Sequence, residues 1–134
     1  MKTLFAVVIV LFFWGHALYV FSQNTAIDSL TNLLRKIKSD TTEIDILREL
    51  NKEYLKIDLK KSEKQIDRAI NIAKRIKDTV RLIRCYVDKS DVFETTGKNF
   101  EAIHYLEIGL NLCEKINKLN LMSLVYSEMG WVYE

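Results

Sequence analysis

The sequence predicts an all-α chain built as a solenoid of antiparallel helix hairpins. Three observations predict it. The 134 residues include no proline and only four glycines, so little in the chain breaks long helices. Charged residues make up 28% and hydrophobic residues 49%, and the apolar positions recur every three or four residues rather than every two. The pattern also repeats. Shifted by 40 residues, Ala69 falls on Gly109, Ala73 on Cys113, Ile76 on Ile116, Leu82 on Met122, Tyr86 on Tyr126 and Phe93 on Tyr133. Small residues meet small ones and rings meet rings, the signature of stacked units that cannot bury their apolar faces alone.

Residues 1–22 are read as an export signal. Lys2 precedes a charge-free apolar run that closes with Val20, Phe21 and Ser22, and cleavage is expected after Ser22. The rival reading is an uncleaved anchor, since Leu4 to Phe21 is 18 residues, the lower limit of a bilayer span. Either way the chain is expected to be exported, periplasmic or secreted. The membrane is expected to be involved only through this segment or through a span beyond residue 134. No cysteine follows the apolar run, so a lipoprotein anchor is not expected.

Residues 23–39 are read as an N-terminal packing helix with Ile27, Leu30, Leu34 and Ile37 on one stripe and Thr25 as cap. Residues 40–78 form the first hairpin. Asp40 is expected to cap its first helix, with Glu43 completing a capping box, and Ile44, Leu47, Leu50, Tyr54 and Ile57 follow on one face. Asp58 is expected to start its second helix, striped by Ile66, Ala69, Ile70, Ala73 and Ile76. Residues 79–118 form the second hairpin, with Asp78 as cap, a turn at Thr96-Gly97-Lys98-Asn99 and a helix to about Asn117. Residues 119–134 read as the first helix of a third hairpin, capped by Asn120. Its stripe of Val125, Met129 and Tyr133 is expected to lack a cover. The chain is therefore expected to be the front of a longer protein, incomplete at its C-terminus.

The third unit reads Tyr126-x-x-Met129-Gly130-x-x-Tyr133. The second reads Tyr86-x-x-Lys89-Ser90-x-x-Phe93, then Gly97, Ala102, Leu106 and Gly109. The first is more worn, with Leu47-x-x-Leu50-Asn51-x-x-Tyr54, then Ser62, Ile66 and Ala69. This pattern resembles the tetratricopeptide repeat family, over about residues 40–134. Gly130, Ser90, Ala102 and Gly109 are expected where backbones approach closely. Lys89 stands where the family has leucine, the closing proline is absent, and the period exceeds the common 34. Longer repeats behind a signal peptide resemble a bacterial subgroup that often forms the sensory front of histidine kinases or helix-turn-helix regulators.

The resemblance implies a right-handed superhelical array whose first helices line a concave groove. By register, that groove would offer Asp45, Arg48, Lys52 and Leu55 from the first unit. It would offer Arg84, Val87, Asp91 and Glu94 from the second, and Leu124, Ser127 and Trp131 from the third. The function implied is an exported, non-enzymatic protein- or peptide-binding scaffold. The alternative is the periplasmic sensory domain of a two-component histidine kinase or transcription regulator whose effector part lies beyond residue 134. Self-association through the open C-terminal end is a third expectation.

Chemistry within these residues is not expected. No glycine-rich phosphate loop, His-Glu-x-x-His or serine elbow is present, and no cofactor or metal is implied. His104 is read as a solvated helix residue, since a catalytic base needs an oriented partner. The pairs Glu43/Asp45 and Asp88/Asp91 read as surface charges, and the run Arg68, Lys74, Arg75, Lys77, Arg81 and Arg84 as a solvated face. Cys85 and Cys113 sit at apolar helix positions and read as buried free thiols. Loss of residues 1–22 removes Lys2 alone among charged side chains, so the net charge falls from +2 to +1. That near-neutral balance argues against a nucleic-acid surface.

Overall fold

The computed structural model describes residues 25–133; the export segment and the anchor reading of Leu4 to Phe21 lie outside them. Among the described residues every regular element is a helix. Helix α1 covers residues 25–36. It is followed by α2 (Asp40–Leu55), α3 (Leu59–Arg75), α4 (Thr79–Thr95), α5 (Asn99–Lys115) and α6 (Leu119–Tyr133). None is long and apolar enough to cross a membrane.

Helices α2 and α3 pair as one hairpin and α4 and α5 as the next, with α3 packed on α4 and α5 on α6. Burial is continuous along this stack. Ile27 of α1 packs with Ile46 and Leu50 of α2. Leu47, Ile66, Ala69, Ala73, Cys85 and Tyr86 form the middle core, and Ile83, Ala102, Leu106, Cys113, Leu121 and Val125 the next. Burial pushes the Cys85 thiol up to about 12 and also raises Cys113. Both cysteines are buried free thiols, packed as small hydrophobes rather than poised as thiolates.

Helix starts follow partly from the acidic caps. Asp58 accepts from the Lys61 amide and Asp78 from the Arg81 amide, each at 3.0 Å. Ser39 rather than Asp40 caps α2, accepting from the Thr42 amide; Asp40 lies in the first turn, where its charge suits the helix dipole. Asn120 lies inside α6 rather than capping it, because the Leu121 and Met122 amides bond to the Lys118 carbonyl.

The ends of α3, α4 and α5 are alike. Lys77, Gly97 and Asn117 have φ of 57°, 70° and 51°, in the left-handed region. Around them the amides of Asp78, Lys98 and Lys118 bond to the carbonyls of Ala73, Phe93 and Cys113, the Schellman closure. Lysine in this conformation is strained by about 1–2 kcal/mol, and glycine is not. Lys77→Gly is therefore expected to raise stability by about 1 kcal/mol and Gly97→Ala to lower it by a similar amount. Urea denaturation midpoints read both signs.

Two departures from the family pattern have a physical account. Lys89 is only 3% exposed, its stem filling the leucine position. Its ammonium bridges Glu63 and Asp67 of α3, both at 2.9 Å, and lies 5.2 Å from the Phe93 ring centroid. In the first unit, Asn51 and Ser62 replace two small residues and are fully buried. Ser62 Oγ lies 2.7 Å from Asn51 Oδ1 and 3.0 Å from the Asn51 carbonyl, while Asn51 Nδ2 has no partner. With the amide turned over, Nδ2 donates one N–H to Ser62 Oγ and Ser62 donates to the carbonyl, so that both side chains have a partner. Ser62→Ala should cost about 1–3 kcal/mol by stranding Asn51. Adding Asn51→Ser, which copies the Ser90/Ala102 pairing of the second unit, should recover most of that in thermal melts.

Small residues serve close packing at some positions and not at others. A Cβ on Gly109 would meet Val125 Cγ2 at 3.8 Å and Ile83 Cγ2 at 4.0 Å, ordinary contacts. Nothing lies within 4 Å of one on Gly130, so no described backbone approaches there. The stripe of α6 also divides. Val125 is fully buried and Val132 nearly so, against the second hairpin, whereas Tyr126 is 54%, Trp131 63% and Tyr133 73% exposed. The expected uncovered stripe of Val125, Met129 and Tyr133 is corrected to Tyr126, Trp131 and Tyr133.

Candidate functional site

The helices that begin each unit converge. The backbones of α2 and α4, and of α4 and α6, approach within 8 Å between Cα atoms, whereas those of α3 and α5 do not. Neighbours closer on one side than on the other make an array that curves toward its first helices. The inner face is therefore formed by α2, α4 and α6. A cleft of about 410 Å³ opens between α2 and α4, lined by Asp45, Arg48, Glu49, Val80, Arg81 and Arg84.

Several of the groove residues read from the sequence are engaged in holding the fold. Arg48 forks onto Asp88, with Nη2 to Oδ1 at 3.1 Å and Nε on Oδ2. Asp45 receives the Arg81 fork at 3.1 and 3.0 Å, and Arg81 also donates to Asp78 at 2.9 Å. These two pairs staple α2 to α4. Val87 is 7% exposed in the core, Leu55 packs against the middle core, and Lys52 pairs with Glu49 at 2.8 Å. Asp88, read as a surface carboxylate, is 4% exposed. Burial raises its pKa, and the Arg48 fork opposes that shift without cancelling it. Half of the basic run is likewise engaged, with Arg68 on Glu43 and Arg75 on Asp40 across α3 and α2 beside the Arg81 fork.

The remaining side chains are uncommitted. Arg84, Glu94, Ser127 and Trp131 are exposed, Leu124 is 37% exposed, and Asp91 is half-buried. Asp91 titrates at about 7, because burial and the neighbouring Asp88, Glu128 and Glu94 disfavour its charge while Lys52 favours it. Burial raises Glu128 too, with help from Glu94 and Asp88. The groove thus carries cationic Arg84 near the start of α4, a carboxylate cluster further along, and apolar Leu124 and Trp131 on α6.

Sequence reasoning missed Asp88, Arg81 and Glu128. The spacing could have found the first: Arg48 and Asp88 are opposite charges one 40-residue period apart, so stacking brings them together. Another cleft, about 800 Å³, lies along α3 beside Glu43 of α2, among Lys60, Glu63, Lys64 and Arg68. Its charges are mostly paired. Among the described residues no group of three or more His, Cys, Asp or Glu is placed to hold a metal ion.

The family model for the SusR N-terminal TPR domain matches residues 15–132. Comparison with curated proteins finds no match.

Proposed function

We propose that this chain, which belongs to the tetratricopeptide-repeat family of SusR N-terminal domains, acts by seating a protein or peptide segment across α2, α4 and α6. Membership of that family makes it a protein-interaction scaffold in general terms. The convergence of the first helices carries the finer reading, because it leaves Arg84, Asp91, Glu94, Leu124 and Trp131 along one concave lane with no structural task. A segment with an apolar or aromatic residue for α6 and a cationic residue for the carboxylates complements that lane. The action proposed is docking without a covalent step.

The proposal includes export, with Gln23 as the first mature residue, on the strength of the charge-free run before Ser22. N-terminal sequencing of the secreted product tests it. The second reading, the sensory front of a signalling protein, rests on the subgroup's resemblance alone.

Selection of a displayed random-peptide library on the chain tests the groove. Binders should weaken at least about tenfold on Trp131→Ala and on Asp91→Lys and be indifferent to Arg75→Ala on the outer side. Binders sensitive only to outer-side variants would overturn the groove assignment.

A further inference from the structure

Because the backbones of α3 and α5 stay apart, with no Cα pair within 8 Å, the back of the array also opens between the two hairpins. The crevice there, about 420 Å³, has Tyr86 of α4 as its floor, with Ile70 and Lys74 of α3 on one wall and His104 and Tyr105 of α5 on the other. Tyr86 and Tyr105 lie 5.8 Å apart between centroids at 39°, and Phe93 stacks behind Tyr105 at 5.5 Å. Phe93 thus backs the Tyr105 side of the aromatic floor.

Its polar groups are spare. Tyr86 is 6% exposed, yet its hydroxyl makes no protein hydrogen bond and is not sealed from the surface. Lys74 Nζ sits 5.9 Å from the Tyr86 centroid and has no carboxylate partner, in a protein whose other α3 cations are mostly paired. His104 has only a ring contact with its neighbour Tyr105, at 5.9 Å. The rim's one carboxylate, Asp67, is already taken by Lys89. An aromatic floor of two mutually inclined rings, with an ammonium over Tyr86 that has no carboxylate partner and a hydroxyl with no protein partner, is complementary to a small ligand with a ring and an anionic head.

We propose that this outer crevice is a binding site for a small aromatic anion, separate from the concave groove. The ring packs on Tyr105 beside the small open edge of Tyr86, and the anionic head accepts from Lys74 Nζ and the Tyr86 hydroxyl. The site stands whether or not the groove binds a peptide.

Phenyl phosphate is the probe, titrated into the ¹⁵N-labelled full chain and followed by amide chemical shifts. Saturable shifts are expected around residues 67–74, 86 and 104–108. Benzyl alcohol and inorganic phosphate, each carrying half of the chemistry, should bind at least about tenfold more weakly. Lys74→Met, on an exposed side chain, and Tyr86→Phe, which keeps the ring, should each weaken binding while leaving the circular dichroism spectrum unchanged. Shifts that fail to saturate or that centre on α6 would overturn the proposal. So would equal affinity for benzyl alcohol, or a Lys74→Met chain that binds as tightly as the original.

Discussion

Replacing Arg48 with alanine lowers the unfolding free energy by about 3–5 kcal/mol, the largest loss expected from a single change in the groove. The reason lies in what remains. Asp88 is 4% exposed, and its fork from Arg48 is the interaction that makes its charge tolerable there. Without the guanidinium, the carboxyl must sit buried and unpaired or take up a proton at neutral pH. The cost belongs to the orphan rather than to the bond. Arg48→Met combined with Asp88→Leu should therefore recover most of the loss, since an apolar pair of similar size carries no buried charge. Urea unfolding of the three variants decides it. A double variant no more stable than Arg48→Ala would mean that the pair itself, and not the stranded carboxyl, sets the effect.

Stability also falls as pH rises from about 4 to 7, and Asp91 is the largest single source. Its folded-state pKa of about 7 lies above the ordinary carboxylate value of 3.8. Between those values the folded chain holds a proton that the unfolded chain has released. Stability from this group is thus complete at low pH and declines through that window. The slope is at most about 1.4 kcal/mol per pH unit, and the whole loss is up to about 4 kcal/mol. Asp88, Glu94 and Glu128 face the same carboxyl, so the proton is shared among coupled groups. Asp91→Asn should flatten the profile and make the variant more stable than the native chain at pH 8. Parallel profiles for the two proteins would remove Asp91 as the source.

Much of the architecture was legible because one cause acts along the whole chain. Ile66, Ala69 and Ala73 recur at helical spacing and at the period of the next unit, so both their burial and the stacking follow from the same rows of residues. Asp58 and Asp78 announce their helices by local chemistry. The sequence points to Asp40 and the structure to Ser39, because both are good caps and the choice depends on where the preceding helix stops. Val125 was placed on the wrong face because α6 has apolar residues almost all round. Periodicity alone cannot choose a face when Leu124, Val125, Tyr126 and Met129 all qualify; the fit against Gly109 chooses Val125. The groove was less legible for a different reason. Register names the positions that point inward, but not which of them are already satisfied. Arg48 and Asp45 have partners 40 and 36 residues away in sequence, and only stacking reveals them.

The two joints on the inner face differ in stiffness. Arg48–Asp88 and Arg81–Asp45 rivet α2 to α4, so bending there must break oriented, partly desolvated forks. Between α4 and α6 no ion pair occurs among the described residues; Asp91 and Glu94 face Glu128 instead, and like charges resist closure without fixing an angle. The α2–α4 joint is therefore pinned by oriented ion pairs, and the α4–α6 joint is held by packing alone. Under the proposed docking, a segment that brings positive charge to the carboxylate end would relieve that repulsion and let α4 and α6 draw together.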